Sequence, residues 1–195
     1  KMEEATKKEK LIQRLNYHDL VPYVKETAIG VLYLDINFLF DNKENPIDKT
    51  VYELGTKLYN GRNYTVAGLN YYTNLAHLCA HFYREATNTI WTEGRRDATL
   101  YKVVDIINYI RYYGEHINIE EFIQTLDKLN MRDKAYYTFT ILQEFYSVNF
   151  IDNCKNMLEN DFFDHDFMNH IYDHKQKKNI VRTESFYDTA FSCIE

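Results

Sequence analysis

The stretch from Asn70 to Tyr113, NYYTNLAHLCAHFYREATNTIWTEGRRDATLYKVVDIINYIRYY, constrains the fold more than any other part of the chain. Apolar residues recur there at intervals of three and four, the spacing of one face of an α-helix. Tyr72, Leu75, Cys79, Phe82, Tyr83 and Ala86 make the apolar face of a first helix, and Asn74, His77, His81 and Arg84 form a second, polar line. Leu100, Val103, Val104, Ile107 and Ile110 make the apolar face of a second helix, with Lys102, Asp105, Tyr109 and Tyr112 opposite. Asp97 is the candidate N-cap of that second helix. Packing alone requires neither polar line, so each is a candidate for contact with a ligand or a neighbouring element.

A chain of 195 residues buries one sizeable core or two small lobes. With two prolines and six glycines it has few breakers, and eighteen tyrosines and twelve phenylalanines supply a large amphipathic surface to pack. The formal charge of −6 argues against general nucleic-acid binding, which needs a basic surface to neutralise phosphates. Cys79, Cys154 and Cys193 are odd in number and lack metal-site spacing, which argues against a zinc ribbon or a disulfide framework and for a cytoplasmic protein. No apolar run approaches the roughly 18 residues of a membrane span, and the opening KMEEATKKEK is charged rather than signal-like. Lys1 ahead of Met2 is unusual for a natural start and suggests an added residue or a truncated beginning.

Taken in order, the spacing predicts a helix over residues 3–16, then a β-hairpin. Its strands are Leu20 to Thr27 and Val31 to Phe40, joined at Ala28-Ile29-Gly30. Alternation in VLYLDINFLF puts Leu32, Leu34, Ile36, Phe38 and Phe40 on one face and Tyr33, Asp35, Asn37 and Leu39 on the other. Asp48 is placed to cap a short helix through Leu54, and Asn60-Gly61 marks a second small hairpin between Thr56–Tyr59 and Tyr64–Ala67. Asn118, with Glu121 three residues on, forms a capping box for a helix over Ile119 to Leu129. Another helix starts at Arg132 or Asp133 and runs to about Val148, and a shorter one spans Asn153 to Glu159. NIVRTESFYDTAF fits a final short strand or a helix. The division is α+β: residues 1–68 form a small strand and hairpin lobe, and residues 69–195 a predominantly α-helical lobe.

Asp35 is the sharpest candidate for chemistry, because a carboxylate on a sheet can coordinate Mg²⁺ with other acids and activate a hydroxyl. The plainer reading is a solvated edge-strand aspartate. His77 and His81 have the i, i+4 spacing of a shared metal, yet Leu78 stands where a zincin carries its glutamate, which favours packed, hydrogen-bonded histidines. The run Asp164-His165-Asp166, His170, Asp173-His174 reads as a metal cluster or as a solvated acidic surface. Arg95 and Arg96 in the GRRD loop, followed by Lys102, make either a small phosphate pocket or an exposed loop beside a Lys102–Asp105 surface pair.

Two segments carry a resemblance. LYLDINFLF resembles a strand of the uncharacterised nucleotidyltransferase family, bacterial relatives of the polymerase-β-type nucleotidyltransferases, with Asp35 at the acid and Asn37 where histidine is common. LAHLCAHFYREA followed by RRDATLYKVVDIINYI resembles that family's helical segment, and the similarity covers most of residues 10–150. The resemblance implies an incomplete nucleotidyltransferase-like fold and transfer of an NMP from an NTP to a hydroxyl of an unknown small-molecule or protein acceptor. It implies Mg²⁺ as cofactor, Asp35 as third metal-binding carboxylate and catalytic base, and Lys102, Arg95 and Asp105 at the nucleotide. The family's Gly-Ser turn and Asp-x-Asp strand have no counterpart here and are expected before residue 1, so the chain as given is expected not to catalyse the transfer unaided. The competing class is a non-catalytic helical interaction module, an accessory or antitoxin-like subunit. The sequence does not specify the oligomeric state.

Overall fold

A computed structural model describes residues 20–27, 30–37, 54–94, 99–159 and 166–191. Side chains in the first two of these segments are not described. The expected helices over residues 3–16 and from Asp48 therefore lie outside the described residues, as do Arg95, Arg96, Asp97, Asp164, His165 and Cys193. The chain divides into two compact units, Lys1–Lys49 and Thr50–Glu195.

In the first unit, β1 (Leu20–Thr27) and β2 (Gly30–Asn37) pair antiparallel, as the alternating sequence requires. Asp35 lies on β2 opposite Pro22.

The second unit opens with another antiparallel hairpin, β3 (Thr56–Asn60) and β4 (Thr65–Leu69), around the Asn60-Gly61 turn. Asn70 then starts α1 (Tyr71–Ala86). Its side-chain oxygen accepts from the Thr73 amide at 2.9 Å, while its amide nitrogen donates to the Leu54 carbonyl at 2.7 Å. One side chain thus satisfies a free helix N–H and ties the helix to the chain ahead of the hairpin. We expect Asn70→Ala to lower stability by about 1–2 kcal/mol, read as a shift of the urea midpoint at unchanged slope.

A short turn of helix, α2 (Thr89–Thr92), leads towards α3 (Leu100–Tyr113). The N-cap of α3 is Thr99, with no side-chain cap bond. Next comes α4 (Ile119–Leu129), capped as expected by Asn118, whose side chain accepts from the Glu121 amide at 3.1 Å. It ends at Asn130 in the left-handed region (φ 53°), which asparagine tolerates. The helix expected to reach about Val148 stops at Phe145: α5 spans Arg132–Phe145, and α6 begins at Asn149 and ends at Glu159. The tail holds both a strand and a helix. β5 (His170–Asp173) pairs antiparallel with β6 (Lys178–Val181), and α7 (Phe186–Phe191) follows. The described fold is thus mixed α+β and mainly helical, with three separate two-stranded antiparallel sheets among the described residues. Among those residues no helix is long and apolar enough to cross a membrane.

The core lies among α1, α3, α4, α5 and α6. Ala76 and Ala80 on α1 are fully buried, and such small side chains let α5 approach closely enough for the Thr138 hydroxyl to donate to the Cys79 carbonyl at 3.1 Å. Phe122 of α4 meets Phe139 of α5 edge to face at 6.1 Å, and Ile151, Cys154 and Leu158 seal the far side from α6. Burial pushes the Cys154 thiol up to about 12 and raises the Cys79 thiol as well, so both cysteines are inert packing groups. The C-terminal hairpin closes the end of α1: the Tyr172 amide donates to the Thr87 carbonyl, and the Arg182 guanidinium to the Ala86 carbonyl, each at 2.7 Å.

Candidate functional site

The polar lines of α1 and α3 meet at one place. The Glu85 carboxylate is 7% exposed and takes two partners, the Lys102 ammonium through Oε2 and His81 Nε2 at 3.2 Å through Oε1. Lys102, expected on the side of α3 away from the core, is instead 7% exposed. The reason is Glu85, which gives the ammonium a charge partner and hydrogen-bond acceptor inside the helix pair, and without which burial would be prohibitive. Val104 and Leu100, expected on the apolar face, are 42% and 40% exposed, because Lys102 and Ile106 take the inward positions.

Burial, and then the Arg84 charge, push the Lys102 ammonium down to about 8, so at neutral pH it is still charged and the pair with Glu85 is ionic. Burial also dominates at His81, followed by the charges of Arg84, His77 and Lys102, and pushes the imidazole down to about 4. A neutral His81 can donate Nε2–H to Glu85, leaving the carboxylate's charge to Lys102.

This sets a pH dependence. Between about pH 6.5 and 4 the unfolded imidazole binds a proton that the native one resists, so stability is full above that window and falls as pH drops through it. The slope is expected to be shallow, since 41% of the His81 side chain still faces solvent. Urea midpoints between pH 7 and 4 measure it, and His81→Gln should flatten the part due to this residue.

His81 and Lys102 of this cluster line a cavity of about 240 Å³ between α1 and α3, together with Leu78, Phe82, Tyr101, Asp105 and Ile106. Asp105, exposed on α3, also lines an adjacent and wider groove of about 560 Å³. The structure therefore brings together Lys102, Asp105 and the His81 of the first polar line. Arg95 lies outside the described residues, and Asp35 belongs to the other unit, with its side chain not described. Glu85 was missed by sequence reasoning, although its place four residues after His81 on the same helix line was a usable signal.

His77 and His81 stand with ring centres 6.2 Å apart, and among the described residues no group of three or more His, Cys, Asp or Glu is placed to hold a metal. From the acidic run near the C-terminus, Asp173 accepts the backbone N–H groups of Lys175 and Gln176 and so shapes the β5–β6 turn. Those bonds, led by the one from Gln176, hold its carboxyl below the usual range.

No protein-family model, characterised protein or solved structure matches the chain.

Proposed function

We propose that the chain is part of a nucleotidyltransferase-like protein in which the cavity between α1 and α3 receives part of an NTP. The supporting observation is that the two parts of the helical segment in the resemblance, LAHLCAHFYREA and RRDATLYKVVDIINYI, contribute the residues of one ion-paired cluster, Glu85 and His81 from the first and Lys102 from the second. Asp105, from the second segment, lines the same cavity. At about 240 Å³ the cavity is smaller than the roughly 300–1,000 Å³ of sites that enclose whole ligands, so it suits one part of a nucleotide. Lys102 serves a phosphate there only by sharing its charge with Glu85, which makes it chiefly a positioning residue for the helix pair.

The reaction class uses Mg²⁺. Among the described residues no group of three or more His, Cys, Asp or Glu is placed to hold it. The test is isothermal titration of the longest natural form of the chain with ATP, GTP, CTP and UTP in the presence of Mg²⁺. Heat of binding for one of them is expected, and silence for all four would sink the proposal.

A second reading, a non-catalytic interaction module, is favoured by the exposed stripe of Tyr101 (62%), Val104 (42%) and Tyr112 (78%) along α3. It gains if Asp35→Ala leaves the biological activity of the natural protein untouched and light scattering finds a stable complex.

A further inference from the structure

Beside the small cavity, α1 and α3 border the wider, largely open groove of about 560 Å³. From α3 its lining is one stripe, Asp105, Asn108, Tyr109 and Tyr112 at helical spacing i, i+3, i+4 and i+7, with Tyr113 at the end; α1 adds Asn74 and Leu78. Among the described residues the lining holds one carboxyl group and no lysine, arginine or histidine. Its rings stand in mutual contact, Tyr109 and Tyr112 each with its centre 4.9 Å from that of Tyr113.

The groove is fixed rather than loose on one side. The Tyr109 hydroxyl donates to the Tyr71 carbonyl at 3.2 Å, and burial raises its pKa, so the ring stays neutral. At the far end of the same aromatic cluster the Lys57 ammonium donates to the Tyr71 hydroxyl, and the Tyr71 ring lies 5.0 Å from Tyr113. The open side presents Tyr112, 78% exposed, beside Asp105 and two side-chain amides.

An electron-rich aromatic wall and one carboxylate, with no cationic side chain among the described lining residues, form a site complementary to positive charge. We propose that this groove binds an organic cation, a protonated amine, amidine or guanidine carried on a flat or apolar body, with Asp105 accepting its N–H groups and Tyr112 covering its face. The proposal does not depend on the nucleotide reading: the groove adjoins the small cavity and shares Leu78 and Asp105 with it, but its ligand carries the opposite charge.

The probe is benzamidine, with benzamide as its uncharged near-isostere, titrated into the full chain and followed by tyrosine-ring NMR. Benzamidine is expected to bind saturably in the millimolar range or tighter and to move the ring signals that Tyr112→Phe and Tyr109→Phe identify, while benzamide does not saturate. Asp105→Asn, an exposed change checked by an unaltered urea midpoint, should weaken benzamidine by about tenfold. Tyr112→Ala should weaken it by about two- to fivefold. Equal binding of benzamide, indifference to Asp105→Asn, or no saturation by benzamidine would each overturn the proposal.

Discussion

Glu85→Ala is expected to lower the free energy of unfolding by about 3–5 kcal/mol, because it strands a buried ammonium without its carboxylate. Lys102 is 7% exposed on α3, and Glu85 is its partner from α1. Substitution of both, Glu85→Leu with Lys102→Met, should recover most of the loss, since two apolar groups of similar size need no compensation. The pair is therefore expected to show a large coupling energy in a double-mutant cycle read by chemical denaturation. If Glu85→Ala cost less than about 1 kcal/mol, the magnitude of an exposed pair, Glu85 would not be the group that compensates the burial of Lys102.

Phe139→Ala is expected to cost about 3–5 kcal/mol by the loss of transfer energy and the cavity left behind. Phe139 is fully buried, with Phe122 6.1 Å away on α4 and Phe150 6.5 Å away on α6, both near edge-on. Three helices lose a shared contact at once, and the site is too far inside to refill with water. Phe139→Leu, which keeps most of the volume, should cost clearly less, and the difference between the two urea midpoints measures the cavity contribution.

The elements that could be read from local pattern are those built on local rules. Alternation in Leu20–Thr27 and the run after Gly30 specified a hairpin, and the 3.6-residue period specified α1, α3 and α4. The Asn118 cap was legible because its partner sits three residues away. Lys102 was not, because a helical wheel assigns every lysine to water, and the carboxylate that compensates its burial lies seventeen positions earlier on another helix. The same limit hid the end of α5: nothing local distinguishes Phe145 from Val148 as a stop. It also hid the four-residue strands β5 and β6, too short for alternation to stand out.

The closure of α1 by the C-terminal hairpin has a consequence in time. Ala86 and Thr87, next to the carboxylate that holds Lys102, give their carbonyls to Arg182 and Tyr172, residues 96 and 85 positions later in the chain. Long sequence separation of this kind is closed late and slowly. A ribosome-bound chain that has emerged only through α6 would carry the Glu85–Lys102 pair in a helix whose last turn still borrows its hydrogen bonds from water. The polar cluster would then reach its final rigidity only once β5 and β6 have emerged and docked, well after the helices that supply it.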